Sequence, residues 1–506
     1  MLLHENKRNC SESSIEKSYT KIASSIGIFG GVQVFNILIS IIKIKLIALL
    51  IGIAGVGILG ILNSTISLIT SITNLGINYS GTRSISSNYI NDKYYPINEI
   101  NSVLSWSYVT GFIGSVIVII FSGELSLIIF KESGYGWAFI VLSIVVLTQS
   151  ITNSHQAILQ GIRKIKILAV NNVAASFIGL AFSIPLFVFI GFDGIILSLG
   201  LSSIISLLFF TITYIRIFKL KQRSNLICTL KNGVKMIKNG VIIMITNLLL
   251  LIIMYSIQLY INQKGGMVEV GLYMASYVIV NSYLGLFLTS MIPDFLPRLS
   301  AVYQFEDKVS ILVNQQNFIL IYILGPVIIF LMTFLRYIII ILYDASFLGA
   351  QEIVRWSLLG VIFLANNWCS SIMIIAKNHF KTFFLLELVT DFIIITSAII
   401  LYEIYGLLGI GISFFVHNLM RFLYQNFLIQ RKFHFKYNRE VNHAIIIQQA
   451  LVTVNFLAFY IINDSLYLFI GICVLAFSII ISFWKLKDKI NLKDFFVQKV
   501  NNNLFN

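Results

Sequence analysis

Runs of twenty or so mostly apolar residues follow one another along almost the whole chain, and such runs leave few folds open. A helix that crosses a bilayer needs about 20 of them, because its backbone N–H and C=O groups must be satisfied within the segment. Fourteen stretches meet that test, at roughly 22–50, 58–81, 98–122, 137–160, 166–190, 194–217, 236–261, 269–292, 310–335, 351–376, 381–404, 408–430, 443–463 and 465–484. The second halves of the third and ninth are ragged, and a count of twelve or thirteen also fits. Of the 506 residues 58% are hydrophobic and 11% charged, with a mean hydropathy of +0.89, which excludes a soluble protein. The expected fold is an all-α polytopic membrane protein.

The net charge of +15 invites a nucleic-acid reading, but its placement argues against one. Alternate loops hold nearly all the basic residues: Lys7, Arg8, Lys17 and Lys21, then Arg83 and Lys93, then Arg163, Lys164 and Lys166. Seven more lie between Arg216 and Lys238, and the series continues through Arg298, Lys308, Lys377, Lys381, Arg431 and Lys432 to a lysine-rich tail. The opposite loops carry Lys131, Lys264, Arg336 and Arg355. This is the positive-inside pattern, so both termini are expected in the cytoplasm. The polar first 21 residues read as a cytoplasmic segment, with the first apolar run as insertion signal. Cys10, Cys228, Cys369 and Cys473 form no CxxC pair, so neither a disulfide nor a metal site is expected.

The chain repeats itself at about 215 residues. Gly55-Val56-Gly57-Ile58 reads like Glu269-Val270-Gly271-Leu272, and Thr82-Arg83-Ser84-Ile85-Ser86 like Pro297-Arg298-Leu299-Ser300. Lys166 falls on Lys381, and Asp193–Ser198 on Leu408–Ser413. A duplicated bundle is a frequent transporter design, because two lobes can rock about a site between them. The expected organisation is a cytoplasmic segment (1–21), a six-helix lobe (22–217), a basic linker (218–235), a second six-helix lobe (236–430), an appended helix pair (431–484) and a cytoplasmic tail (485–506).

One run carries a family resemblance. Ala48-Leu49-Leu50-Ile51-Gly52 is followed by Gly55-Val56-Gly57, Gly60-Ile61-Leu62-Asn63, Thr73-Asn74-Leu75-Gly76-Ile77-Asn78 and Arg83. Residues 20–90 thereby resemble the opening of the O-antigen and related polysaccharide translocases, the Wzx-type flippases. These belong to the multidrug/oligosaccharidyl-lipid/polysaccharide exporter superfamily. The resemblance implies two six-helix bundles arranged as a V around a cavity. It also implies flipping of an undecaprenyl-pyrophosphate-linked oligosaccharide, with an O-antigen polymerase and chain-length regulator as possible partners. A multidrug or toxin cation antiporter of the same superfamily and a lipid II flippase are the alternatives.

The chain shows no hydrolase triad, Walker loop, metal cluster or nucleotide fingerprint, and no segment large enough for a catalytic domain, so no enzyme and no cofactor are expected. Transport must then draw on H⁺, Na⁺ or the cargo's own gradient. Polar stripes mark the inner faces. Gln33, Asn36, Ser40 and Lys43 share one face of the first stretch, and Asn63, Ser67, Thr70, Asn74 and Asn78 one face of the second. The fourth carries Gln149, Asn153, Gln156 and Gln160, and the tenth Asn366, Asn367 and Ser370. Such stripes either glue helices together or line a wet cavity, and amides suit sugar hydroxyls because they donate and accept. Lys43, Arg421, Gln33, Asn36, Asn74, Asn153 and Asn367 are therefore the substrate-cavity candidates, with Lys43 and Arg421 as anion-binding cations. Arg83 and Arg298 hold matching places at a cytoplasmic mouth. Asp391, near a helix centre, and Glu387, one turn away, are the coupling-ion candidates; an internal Asp391–Arg421 pair is the competing reading.

Overall fold

The computed structural model describes residues 35–89, 95–218, 226–377 and 379–487, and among them no strand is present. The chain divides into two compact units, Met1–Gln263 and Lys264–Asn506. The first holds α1 (35–50), α2 (Ile53–Asn74), α3 (Ile77–Asn88), α4 (Ile97–Ile120), α5 (Ser122–Phe130), α6 (Gly136–Gly161), α7 (Ile165–Ile190) and α8 (Phe192–Phe218). It also holds the first part of α9 (Leu226–Tyr277), which is interrupted at Gly266 with φ of 77°. The second unit continues with α10 (Leu284–Ala301), α11 (Glu306–Thr333), α12 (Leu335–Leu342), α13 (Ala350–Leu359), α14 (Val361–Ala376), α15 (Phe380–Tyr405), α16 (Leu407–Phe433), α17 (Arg439–Ile461) and α18 (Asp464–Lys487).

Ten helices among the described residues are long and apolar enough to cross a membrane, or eleven if the pair α13–α14, bent by 47°, counts as one span. They fall on eleven of the fourteen apolar stretches. Of the other three, the first begins outside the described residues, and the seventh and eighth lie in α9 and α10. The ragged third and ninth stretches each break at a phenylalanine. α4 ends at Phe121 and resumes as α5, and α11 ends at Phe334 and resumes as α12. Downstream, α7 and α15 are both 26 residues long and α8 and α16 both 27. α7 and α15 end at Gly191 (φ 64°) and Gly406 (φ 60°), where a left-handed φ stops a helix without a Cβ clash. Both helices expose large apolar side chains, such as Phe177, Phe182 and Phe189 on α7 and Phe392 and Ile404 on α15, as expected of faces that meet lipid.

Three expectations are altered by the fold. The second stretch is not one helix, because it breaks at Leu75-Gly76. The basic linker is in part helical, since α9 already begins at Leu226 and its first turns pack on α4. The appended pair is sewn onto the second unit through α11. There Gln448 of α17 bonds Ser478 and Ser482 of α18, and the Asn455 amide donates to Thr333 of α11 at 3.2 Å. Gln448 and Asn455 are fully buried, and side-chain bonds of this kind hold helices together where apolar burial gives no preference over lipid.

Candidate functional site

The α2–α3 break is where the first unit becomes irregular. Leu75 (φ 47°, ψ 28°) and Gly76 (φ 68°, ψ 18°) are both left-handed, a conformation that only glycine adopts freely. The break is pressed against α9: a Cβ on Gly76 would lie 2.1 Å from the Gly240 carbonyl oxygen, and one on Gly240 would lie 2.4 Å from that of Leu75. Two glycines are therefore required at this crossing. Irregular backbone at membrane depth is tolerated where it lines a cavity, and two cavities flank the contact.

The smaller, about 260 Å³, is lined by Ser67, Thr70, Ser71 and Asn74 of α2, Gly76 of the break, Asn78 and Tyr79 of α3, Asn153 of α6, and Met244, Asn247 and Leu251 of α9. No charged side chain is among them. The larger, about 910 Å³, lies beyond the break. α3 contributes Tyr79, Ser80, Arg83, Ser84 and Ser87, α4 contributes Asn98, Glu99 and Ser102, and α9 contributes Asn232, Gly233, Lys235 and Met236. α9 is fixed there by α4: the Ser102 hydroxyl donates to the Thr229 carbonyl at 3.0 Å, and the Trp106 indole to the Leu230 carbonyl at 3.0 Å. This seats Thr229, Gly233, Met236 and Ile237 inward and leaves Lys231, Lys235 and Lys238 exposed at helical spacing, with Lys235 still among the residues that line the cavity.

In the second unit, the polar groups of α14, α15 and α16 form a network. Arg421 makes a bidentate pair with Glu387, with Nη1 to Oε2 at 3.1 Å and Nη2 to Oε1. Its Nη2 also donates to Ser371 Oγ at 3.2 Å, and its Nε to Gln425 Oε1 at 3.3 Å. The Gln425 amide in turn donates to the Asn367 carbonyl and to both Ser370 and Ser371. A third cavity, about 480 Å³, is bordered by Arg298, Ser310, Asn314, Gln315 and Gln316, with Asn438 and Glu440 from the start of α17. The Asn438 N–H donates to Asn314 Oδ1 at 2.9 Å and its side chain caps α17, so the appended pair supplies part of this wall.

The sequence candidates are thus sorted. Asn74 and Asn153 meet at one cavity, and Arg83 and Arg298 each line a larger one. Asn36 and Lys43 are half-buried on α1, and the Asn36 amide oxygen is buried without a partner; Gln33 lies outside the described residues. Asn367 is not a cavity wall. It is 2% exposed, donates to the Asn418 carbonyl at 3.0 Å, and belongs to helix packing. Arg421 pairs with Glu387, not with Asp391, because the bidentate geometry is met one turn along α15. Asp391 stands half-buried beside that pair.

Sequence reasoning passed over Lys235, placed in a linker, and Arg355, placed in an outer loop. Arg355 is 1% exposed and donates to the Met332 carbonyl and the Tyr467 hydroxyl, with its guanidinium over the Phe459 ring. The heptad-like spacing Lys231, Lys235, Lys238 was a usable signal for a helix, whereas nothing local marks Arg355 as buried.

A family model described as a polysaccharide biosynthesis protein matches residues 46–352. No curated protein sequence matches significantly. Among solved structures, the lipid II flippase MurJ in an inward closed conformation superposes with a TM-score of 0.68 at 17% identity, over 90% of this chain and 99% of that one. An inward-facing multidrug resistance MATE family transporter of the MOP superfamily gives 0.61 at 15% identity, over 79% and 95%. A MOP superfamily transporter from Pyrococcus furiosus gives 0.55 at 16% identity, over 80% and 94%. At such identities the likeness speaks for the fold: an all-helical membrane bundle of the MurJ and MATE kind.

Proposed function

The chain belongs to the polysaccharide biosynthesis protein family, and from that premise we propose that it flips an undecaprenyl-pyrophosphate-linked oligosaccharide, of the O-antigen repeat-unit type, across the bacterial inner membrane. The observation that carries this reading is the large cavity of the first unit. Arg83 and Lys235 face it among serine hydroxyls and asparagine amides, with Glu99 its one acid. Cations suit a pyrophosphate, and hydroxyls and amides suit a glycan. A multidrug cation antiporter would want acids and aromatics in that place, and the lipid II flippase reading rests on fold alone. In this proposal the helices number fourteen, in two six-helix lobes and an appended pair, and the lobes alternate access. The chain performs no covalent chemistry. Asp391 binds the coupling H⁺ or Na⁺, and an O-antigen polymerase and chain-length regulator act on the product.

Deleting the gene is expected to remove long-chain surface polysaccharide while lipid-linked repeat units accumulate on the cytoplasmic face. Arg83→Ala with Lys235→Ala should restore the ladder to less than a tenth of the wild-type level. A normal ladder in a clean deletion that lacks a second flippase would refute the assignment.

Topology gives an independent check. The basic-residue asymmetry puts the start of α9 in the cytoplasm. Exposed Cys228, kept as the single cysteine, should react with an impermeant maleimide in inside-out vesicles and stay unmodified in spheroplasts. Labelling in spheroplasts would invert the whole orientation.

A further inference from the structure

The two cavities of the first unit differ in chemistry, and the contact between Gly76 and Gly240 divides them. On α9 the large cavity is lined by residues 232–236 and the small one by residues 244–251, with Gly240 between. On α2 and α3 the small cavity takes residues 67–79 and the large one residues 79–87, and Tyr79 borders both. The large cavity carries Arg83 and Lys235; the small one carries four asparagines, four hydroxyls and no charge. Two acceptors in the small cavity's lining, the amide oxygens of Asn74 and Asn78, are buried without a partner. Asn74 is 8% exposed. Orphaned acceptors of this kind cost about 1–3 kcal/mol each unless a donor reaches them.

We propose that the small cavity is a seat for one uncharged sugar ring, held by Asn74, Asn78, Asn153 and Asn247. This rests on the proposed flippase function and adds which part of the cargo goes where. A phosphate offers acceptors alone, whereas a sugar hydroxyl both donates and accepts, which is what a wall of asparagine amides and hydroxyls asks of an occupant. An acidic sugar would leave a charge desolvated with no cation in the wall. At about 260 Å³ the space falls below the common small-molecule pocket of about 300–1,000 Å³, which limits the occupant to a single ring. The phosphate-bearing end then lies on the other side of the glycine contact, toward Arg83 and Lys235.

The test uses the full chain in nanodiscs, with its four cysteines changed to serine and one reporter added. Ser71→Cys, or Met244→Cys if the former folds poorly, reports the seat; Ser84→Cys reports the mouth. The probes are polyprenyl pyrophosphate carrying one N-acetylhexosamine, the same lipid carrying one uronic acid, and the same lipid without sugar. The neutral-sugar lipid should slow maleimide labelling at least tenfold at both reporters. The other two lipids should protect Ser84→Cys and leave the seat reporter within twofold of its free rate. Equal labelling of the seat with all three, while the mouth is protected, overturns the sugar seat and leaves the flippase reading in place. Protection of the seat by Na⁺ without lipid, or by the uronic acid lipid as well, also overturns it. Absence of protection at both reporters removes the flippase reading itself.

Discussion

Arg355→Ala is expected to abolish most of the folded, membrane-inserted protein, a larger effect than any cavity substitution should have. The guanidinium is 1% exposed, and Nη1 donates to the Met332 carbonyl at 3.1 Å and the Tyr467 hydroxyl at 2.7 Å. The Tyr467 hydroxyl donates to the same carbonyl at 2.9 Å, which closes a triangle near the end of α11. The cation lies 3.6 Å from the centre of the Phe459 ring and 5.1 Å from that of Tyr467. Four helices meet through this one side chain: α11, α13, α17 and α18. Truncating a side chain of this size in a packed interior costs roughly 3–5 kcal/mol, and the lost cation–π contact adds about 2 kcal/mol when desolvated. Against that, alanine no longer carries a buried charge, so the sum is moderated. Arg355→Met separates the parts, because it fills the space without charge or hydrogen bonds and should fall between wild type and alanine. Arg355→Lys should do no better than methionine, since an ammonium keeps the desolvation cost without the planar stacking face. Melting of the detergent-solubilised protein, followed by fluorescence-detected size exclusion, reads the order. An alanine variant that melts like wild type would show that the triangle contributes nothing.

How far the sequence spoke for itself depends on range. Apolar stretches gave the helices because membrane insertion is a local property of about 20 residues. The break at Leu75-Gly76 was hidden because Leu75 is an ordinary helix former. What forces it is the contact with Gly240, 164 positions later, which no local window contains. The cavity walls were half legible: the polar stripe of α2 was visible, and Ser67, Thr70 and Asn74 of it lie with Asn153 along one cavity. Asn367 had the same local signature and went into packing, because Gln425 and Asn418 of α16 claim its backbone and side chain. Stripe and glue look alike in one helix and differ in what the neighbouring helix offers.

Neutralising both members of the Arg421–Glu387 pair is expected to recover most of the surface glycan that either single change removes, whereas Asp391→Asn is expected to abolish transport with the fold intact. Arg421 already gives four hydrogen bonds, two to Glu387 and one each to Ser371 and Gln425. A guanidinium has five N–H groups, so little remains for a pyrophosphate. Its side chain is 15% exposed and that of Glu387 28%. Removing one partner of a buried pair costs about 3–5 kcal/mol by stranding the other, and partial exposure puts this pair toward the lower end. Removing both leaves two amides that still bond each other, so Arg421→Gln with Glu387→Gln should regain the lost stability. Asp391 differs because Glu387 has taken the arginine. Its carboxylate stays half-buried on α15 outside that pair, and under the proposed coupling role a site that binds a cation in one state and releases it in the other links a gradient to rocking. Asp391→Asn keeps the side chain's size and removes no hydrogen bond to a described residue, so it should stay within about 1 kcal/mol of wild-type stability, while surface glycan falls at least tenfold. If the double glutamine variant inserts normally yet stays inactive, Arg421 contacts cargo after all. If Asp391→Asn retains full glycan, the coupling carboxylate lies elsewhere.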